Sequence, residues 1–195
     1  MYSIVTVSDI VRIPPNEFDK PMEEAAVTHL RKGSENVLDR DVGLMIAVIG
    51  IDEIKKGRLM PGDGATYHQV TYRVLVFKPV RGELIEGNVV ELMDFGAFIR
   101  MGPLDGLCHV SQICDDFITQ DSKGSALMGK ETGRTLSEGD HVRARITSIS
   151  FESGNRSGKL GLTMRQPFLG KVGPDISWVE DDVRSARGEG KKKKK

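Results

Sequence analysis

Two aromatic rings and a histidine are the residues whose spacing suggests chemistry. Phe95 and Phe98 flank a Gly-Ala pair in Asp94-Phe95-Gly96-Ala97-Phe98, and His109 follows in Leu107-Cys108-His109-Val110-Ser111-Gln112-Ile113. Rings exposed side by side form a platform on which single-stranded bases stack. A lone Phe-x-x-Phe in a strand is more often core. Gly96 shifts that balance, because glycine permits a bulge or tight bend that lets both rings point one way despite their odd spacing. A glycine-rich turn, Gly102-Pro103-Leu104-Asp105-Gly106, leads into the strand ending in His-Val-Ser. In a small β-barrel this arrangement puts Phe95, Phe98 and His109 on one outer face.

Other chemistry finds little support. Gly124-Ser125-Ala126-Leu127-Met128-Gly129-Lys130-Glu131 nearly matches a phosphate-binding loop. It fails where a Ser or Thr should bind magnesium, since Glu131 would repel phosphate, and no buried strand precedes it. His29, His68 and His141 are scattered, and none has a partner at catalytic spacing. Asp115-Asp116 reads as an exposed loop pair rather than a metal site. Cys108 and Cys114 fit neither a zinc spacing nor a redox Cys-x-x-Cys, so they read as free thiols in a reducing compartment. No triad, metal cluster or cofactor cradle is recognisable, and no cofactor is expected.

The elements that must carry these residues fall into two parts. Residues 2–13 alternate loosely and stop at Pro14-Pro15, as a strand would. Asp19 is expected to cap a helix with Pro21 in its first turn, an apolar face of Met22, Ala25, Ala26 and Leu30, and an end at Gly33. The run Val42–Ile51 is nearly all apolar. Its β-branched residues and glycines favour a strand buried on both faces. Pro61-Gly62-Asp63-Gly64 is a turn, and Val70, Tyr72, Val74 and Val76 alternate along a further strand. Residues 1–81 therefore read as β-α-β-β, an α+β domain with a mostly antiparallel sheet. Residues 82–166 read as an all-β barrel, with strands near 83–93, 96–101, 106–110, 141–150 and 159–163. An irregular insertion is expected over 114–135. Residues 167–195 read as an extension without order from about 180, ending in five lysines.

Composition bounds the function. The 195 residues carry as many basic as acidic groups, so the whole chain has no electrostatic footprint for nucleic acid. Residues 82–166 hold 9 basic and 12 acidic groups, so charge alone would not bind RNA tightly to this part. The first residues lack a basic region and a long apolar run, which argues against a signal peptide. No apolar stretch approaches membrane-spanning length, and a cytoplasmic location is expected.

Residues 82–165 resemble the S1 module, an RNA-binding domain with an OB fold. A wider set of motifs narrows the family: Val11-Arg12-Ile13-Pro14-Pro15, Pro61-Gly62-Asp63-Gly64-Ala65-Thr66-Tyr67-His68, Leu75-Val76-Phe77-Lys78-Pro79, Gly102-Pro103-Leu104-Asp105-Gly106-Leu107 and Gly161-Leu162-Thr163-Met164-Arg165-Gln166-Pro167. Together they resemble the larger stalk subunit of RNA polymerase, known in archaea as E-prime, over residues 1 to about 170. The resemblance implies a ribonucleoprotein-like tip domain followed by an S1 barrel, and a non-catalytic role. It implies a smaller helical partner, the F subunit of the polymerase, and attachment to the core enzyme through the tip. It also implies binding of the exiting transcript. On that resemblance, docking is expected at the two turns, at Arg12, Pro14, Gly62, Asp63 and Gly64. On the S1 face, Phe95, Phe98 and His109 match the family's two aromatics and histidine. Ser150 stands where an aspartate is usual and Lys159 where an arginine is usual. Alternation turns Arg143 and Arg145 outward, so these two and Lys159 are expected to meet phosphates. A stand-alone S1 protein of RNA decay or translation is the alternative.

Overall fold

The computed structural model describes residues 1–121, 126–151, 159–173 and 177–187. The chain divides into two compact units, the first essentially Met1–Pro79 and the second beginning at Val80.

The first unit contains β1 (Tyr2–Ile13), α1 (Met22–Ser34), β2 (Leu38–Asp39), β3 (Gly43–Ile54), β4 (Arg58–Leu59) and β5 (Thr66–Phe77). The strands lie in the order β1-β5-β3-β2, β4 pairs with β5, and every pairing is antiparallel. The period-2 pattern of β5 sends Val70, Tyr72, Val74 and Val76 to one face, where Ala25, Ala26 and Leu30 of α1 cover them. Three details depart from the sequence expectation. Pro21 rather than Asp19 occupies the N-cap position, and no side chain caps the helix. Gly33 lies inside α1. The chain turns away at Asn36, whose φ of 61° is a left-handed conformation that asparagine tolerates. The apolar run of β3 is not buried on both faces, since one helix covers only one side of the sheet. The register shifts between Val48 and Gly50, and Ile49 is left 49% exposed.

The second unit contains β6 (Leu84–Met93), β7 (Gly96–Arg100), β8 (Asp105–His109), β9 (Ile118–Gln120), β10 (Ala126–Gly129), β11 (Thr135–Ser137), β12 (His141–Ser150), β13 (Lys159–Thr163), β14 (Gly170–Lys171) and α2 (Trp178–Ala186). The order β13-β8-β7-β6-β12 closes on itself through β12–β13 pairing, giving a five-stranded barrel. Among the described strands of this unit only β8 and β13 pair in parallel. Alternation fills the interior with Ile85, Val89, Ala97, Ile99, Cys108, Val142, Ala144, Ile146, Leu160 and Leu162, all buried.

The insertion expected to be irregular is a small sheet in the order β11-β10-β9, with Leu127 and Leu136 buried. Strands this short show too few alternations to be read from sequence. The extension also packs beyond Pro167. β14 pairs with β12, and α2 occupies a stretch expected to lack order from about 180. The reason is Trp178, only 2% exposed, together with Asp182, which accepts hydrogen bonds from Arg134 and from the Phe168 amide, each at 3.0 Å.

Candidate nucleic-acid interface

The barrel face is set by the β7–β8 register. Gly96 pairs with His109, Phe98 with Leu107 and Arg100 with Asp105, so their side chains share the outer face. Ala97, Ile99, Gly106 and Cys108 alternate with them and point inward. Gly96 is required by close approach, since a Cβ there would lie 2.3 Å from the Cys108 carbonyl oxygen. Phe95 sits in the turn before β7, fixed by a 2.9 Å hydrogen bond from the Val110 amide to its carbonyl.

The rings meet, but not flat. Phe95 and Phe98 have centroids 6.2 Å apart and planes at 89°, an edge-to-face pair. Phe95 is 44% exposed and Phe98 is half-buried. The pair thus offers two rings at right angles rather than two coplanar plates. His109 is exposed next to them in the register. Its Nδ1 accepts from the Ser111 amide at 3.2 Å, which places the proton of the neutral ring on Nε2. Phe98 and His109 therefore share the outer β7–β8 face, with Phe95 in the turn before it packed edge-to-face on Phe98.

The three cations are not brought to this cluster. Arg143 pairs across to Glu86, while the β6 neighbour of Phe98 is Glu91. Five residues of strand, about 16 Å, separate the two. Arg143 donates to Glu86 Oε1 through Nε and Nη2 at 2.9 and 2.7 Å, and this pairing holds the Glu86 carboxyl below its ordinary value. Arg145 donates to the Gly82 carbonyl at 3.0 Å. Lys159 stands opposite Ser150 and next to Leu160, which pairs with Gly106. That is the Asp105 end of β8, about 13 Å along the strand from His109. Asp105 there is held in a two-pronged pair with Arg100, at 2.9 and 3.0 Å.

In the first unit the structure joins both predicted docking turns. Arg12, near the end of β1, donates to both carboxylate oxygens of Asp63 at 2.8 and 2.6 Å. The Tyr67 hydroxyl donates to the same carboxylate. These bonds hold the Asp63 carboxyl well below the usual carboxylate range and raise Arg12 and Tyr67 above theirs. Gly62 and Gly64 take φ of 91° and 67°, in the left-handed region. Pro14 enters a 3-10 turn over Pro15–Glu17, and the Pro15 ring lies 3.8 Å from where a Cβ on Gly64 would be. One clamp therefore fixes two segments far apart in sequence.

Two features have no counterpart in the sequence reading. Asp116, which reads as a bare loop residue, accepts from the amides of Phe117, Glu131 and Thr132 and from the Thr132 hydroxyl. Those bonds lower its carboxyl to about 2. Beside it the exposed Phe117 ring carries the Lys130 ammonium 4.6 Å from its centroid. The partners from Lys130, Glu131 and Thr132 lie more than a dozen residues from Asp116 and Phe117, so spacing alone could not reveal them. Among the described residues no group of His, Cys, Asp or Glu could hold a metal ion, and no helix is long and apolar enough to cross a membrane. The near-match to a phosphate loop falls partly outside the described residues; its described part is β10 and the turn that follows.

Comparison with known proteins gives two family matches. Residues 8–64 match the SHS2 domain found in the N terminus of Rpb7p/Rpc25p, and residues 78–155 match the S1 RNA binding domain. The DNA-directed RNA polymerase subunit Rpo7 of Saccharolobus shibatae is 40% identical over 179 residues, covering 92% of this chain and 97% of that protein. The Rpo7 of Sulfolobus acidocaldarius is 39% identical over 186 residues, covering 95% of this chain and 99% of that protein. The similarity extends to eukaryotes: the DNA-directed RNA polymerase III subunit rpc8 of Schizosaccharomyces pombe is 31% identical over 159 residues, 77% of this chain and 78% of that protein.

Proposed function

The chain belongs to the Rpo7 family of DNA-directed RNA polymerase subunits, and from that membership we propose how its two units serve the enzyme. It is a non-catalytic stalk subunit that carries an S1 RNA-binding domain. The stand-alone S1 alternative does not account for a match that spans nearly the full length of the Rpo7 proteins and includes the N-terminal SHS2 domain.

The finer reading has three parts. The barrel stacks bases of the single-stranded transcript on Phe95 and Phe98, with His109 Nε2–H donating to a base edge or phosphate. The turns clamped by Arg12 and Asp63, with Pro14, Gly62 and Gly64, dock on the polymerase core. The smaller F subunit pairs with the chain, and the complex works in the cytoplasm. Arg143, Arg145 and Lys159 serve as outlying phosphate contacts along the barrel rather than as part of the ring cluster.

The observation that supports the RNA reading is the Phe95–Phe98 ring pair with His109 on the same outer β7–β8 face. Stacking is worth roughly 1–3 kcal/mol per base by alanine replacement. Phe95→Ala and Phe98→Ala together should weaken binding of a short oligouridine by at least about fivefold, measured by fluorescence anisotropy on the chain paired with its F partner. Affinity unchanged in the double variant, with the fold intact by circular dichroism, would refute the stacking site.

A further inference from the structure

Phe117 is the most exposed aromatic of the second unit's described residues, at 66%. It lies just before β9 and its ring is held under the Lys130 ammonium at 4.6 Å. Two anchors fix this pair. The Lys130 amide donates to the Phe117 carbonyl at 3.0 Å, and Asp116 ties the Phe117 amide to those of Glu131 and Thr132. The ring is thus presented from a braced turn and not from a loose loop.

We propose that Phe117 and Lys130 form a second contact for single-stranded RNA, on the small β9–β11 sheet and distinct from the Phe95–Phe98–His109 cluster. The inference rests on the S1 reading of the barrel. A ring open to solvent offers a base its face, and an ammonium beside it can swing to the adjoining phosphate. That combination of aromatic platform and cation is what sequence-tolerant single-strand binding uses. Two of the carboxylates nearest in sequence are already engaged: Asp116 is enclosed by the four donors of its own turn, and Asp115 pairs with Arg165. The exposed Glu131 beside Lys130 opposes a phosphate, so the ring supplies most of this contact and the ammonium less.

RNA fits this surface better than a protein partner does. Around Phe117 the same face carries Thr119 and Thr135, with Met128 as the only other exposed apolar side chain among the described residues of these strands. A protein hot spot needs an apolar anchor within a patch that excludes water. One ring and one methionine among threonines do not make such a patch. Position along the chain also matters. His109 and Phe117 are eight residues apart, so the two contacts lie no more than about 28 Å from each other. One transcript strand can reach both, and the second contact extends the site without a second domain.

The test uses the full chain paired with its F partner and two oligouridines, one of about six and one of about twenty nucleotides, a range that brackets the site sizes of single barrels. Phe117→Ala should weaken the longer RNA about fivefold or more and leave the shorter one unchanged. Phe117→Trp should restore the longer RNA's affinity. Lys130→Gln should lower the salt slope on the longer RNA by about one. Phe95→Ala with Phe98→Ala should weaken both lengths. If Phe117→Ala leaves the longer RNA unaffected while the Phe95/Phe98 variant weakens it, the second contact is wrong and the S1 reading stands. Failure of both sets of variants to alter binding would remove both. If Phe117→Ala impairs assembly on the polymerase and not RNA binding, the surface is a protein contact and the inference is overturned.

Discussion

Replacing Trp178 by alanine tests whether the C-terminal segment is an integral part of the barrel unit. The indole is 2% exposed and lies against Gly170, where a Cβ would come 2.3 Å from Cε3. The Arg134 guanidinium sits 5.2 Å from the ring centroid. Truncating a buried Trp costs about 3–5 kcal/mol. The loss has a ceiling, because α2 can undock while the five-stranded barrel stays closed. A helix of nine residues does not persist alone in water. Once undocked it unfolds, and further packing defects at its interface cost nothing more. The lower end, about 3 kcal/mol, is therefore expected, or a fall of roughly 10 °C in the melting temperature of this unit. Limited proteolysis should cut within α2, residues 178–186, in the variant and not in the parent. Gly170→Ala supplies an independent check. It adds a methyl in contact with the ring and strains a φ of 109°, an overpacking cost of about 1–3 kcal/mol. In the Trp178→Ala background the clash is relieved and only the backbone strain remains, so the two costs should fall short of additivity. A Trp178→Ala chain that melts like the parent and resists protease over 178–186 would refute the packing of α2.

Further outcomes follow from the same contacts. Gly62→Val with Gly64→Val should leave the fold and pairing with F intact but abolish pull-down of the core polymerase, since both positions need left-handed φ and Gly62 has open space around it; normal assembly would remove these turns from the docking surface. The Glu131 and Thr132 amide shifts should titrate with a midpoint near 2, the depressed value of Asp116. Because folding lowers that pKa, the stabilisation is present above the ordinary carboxylate value and is lost as pH falls through about 2; a midpoint near 4 would mean the carboxylate does not bind these amides. Burial pushes the Cys108 thiol up to about 12, so it should resist iodoacetamide at pH 8 until the chain is denatured, and rapid alkylation of the native protein would contradict its place in the barrel.

Legibility from the sequence follows the range of the interaction. The strand β5 alternates over ten residues and β1, β6 and β12 over shorter runs, and that period is local, so it survives in one dimension. Capping of α1 is harder to read, because Asp19 has the right chemistry but the chain enters the helix through Pro21. β9, β10 and β11 have three or four residues each, too few for a period, and they exist because Leu127 and Leu136 are buried together across the pairing. α2 is hidden by its charge. Its polar composition reads as solvated, yet Asp182 faces Arg134 from 48 residues away. Nothing near residue 182 signals that partner.

The site shows the same division in finer detail. Phe95, Phe98 and His109 are legible because one hairpin holds them all, and a hairpin's register follows from its own turn and pattern. Outward alternation in a barrel strand is also local, and it assigns Arg143 and Lys159 to the outer surface. Alternation decides the face, but not the height along the barrel. Height is set by pairing with strands far away in sequence, and here it places Arg143 opposite Glu86 and Lys159 at the Asp105 end of β8, each away from the rings. The arginine that the sequence offers to a phosphate is therefore already paired with a carboxylate, and releasing it would leave Glu86 beside the entering RNA. On the proposed reading, a strand bound on this face would gain most where rings are exposed and least where cations are committed. That is why the aromatic side chains, rather than the arginines, are the informative positions for mutation in this barrel.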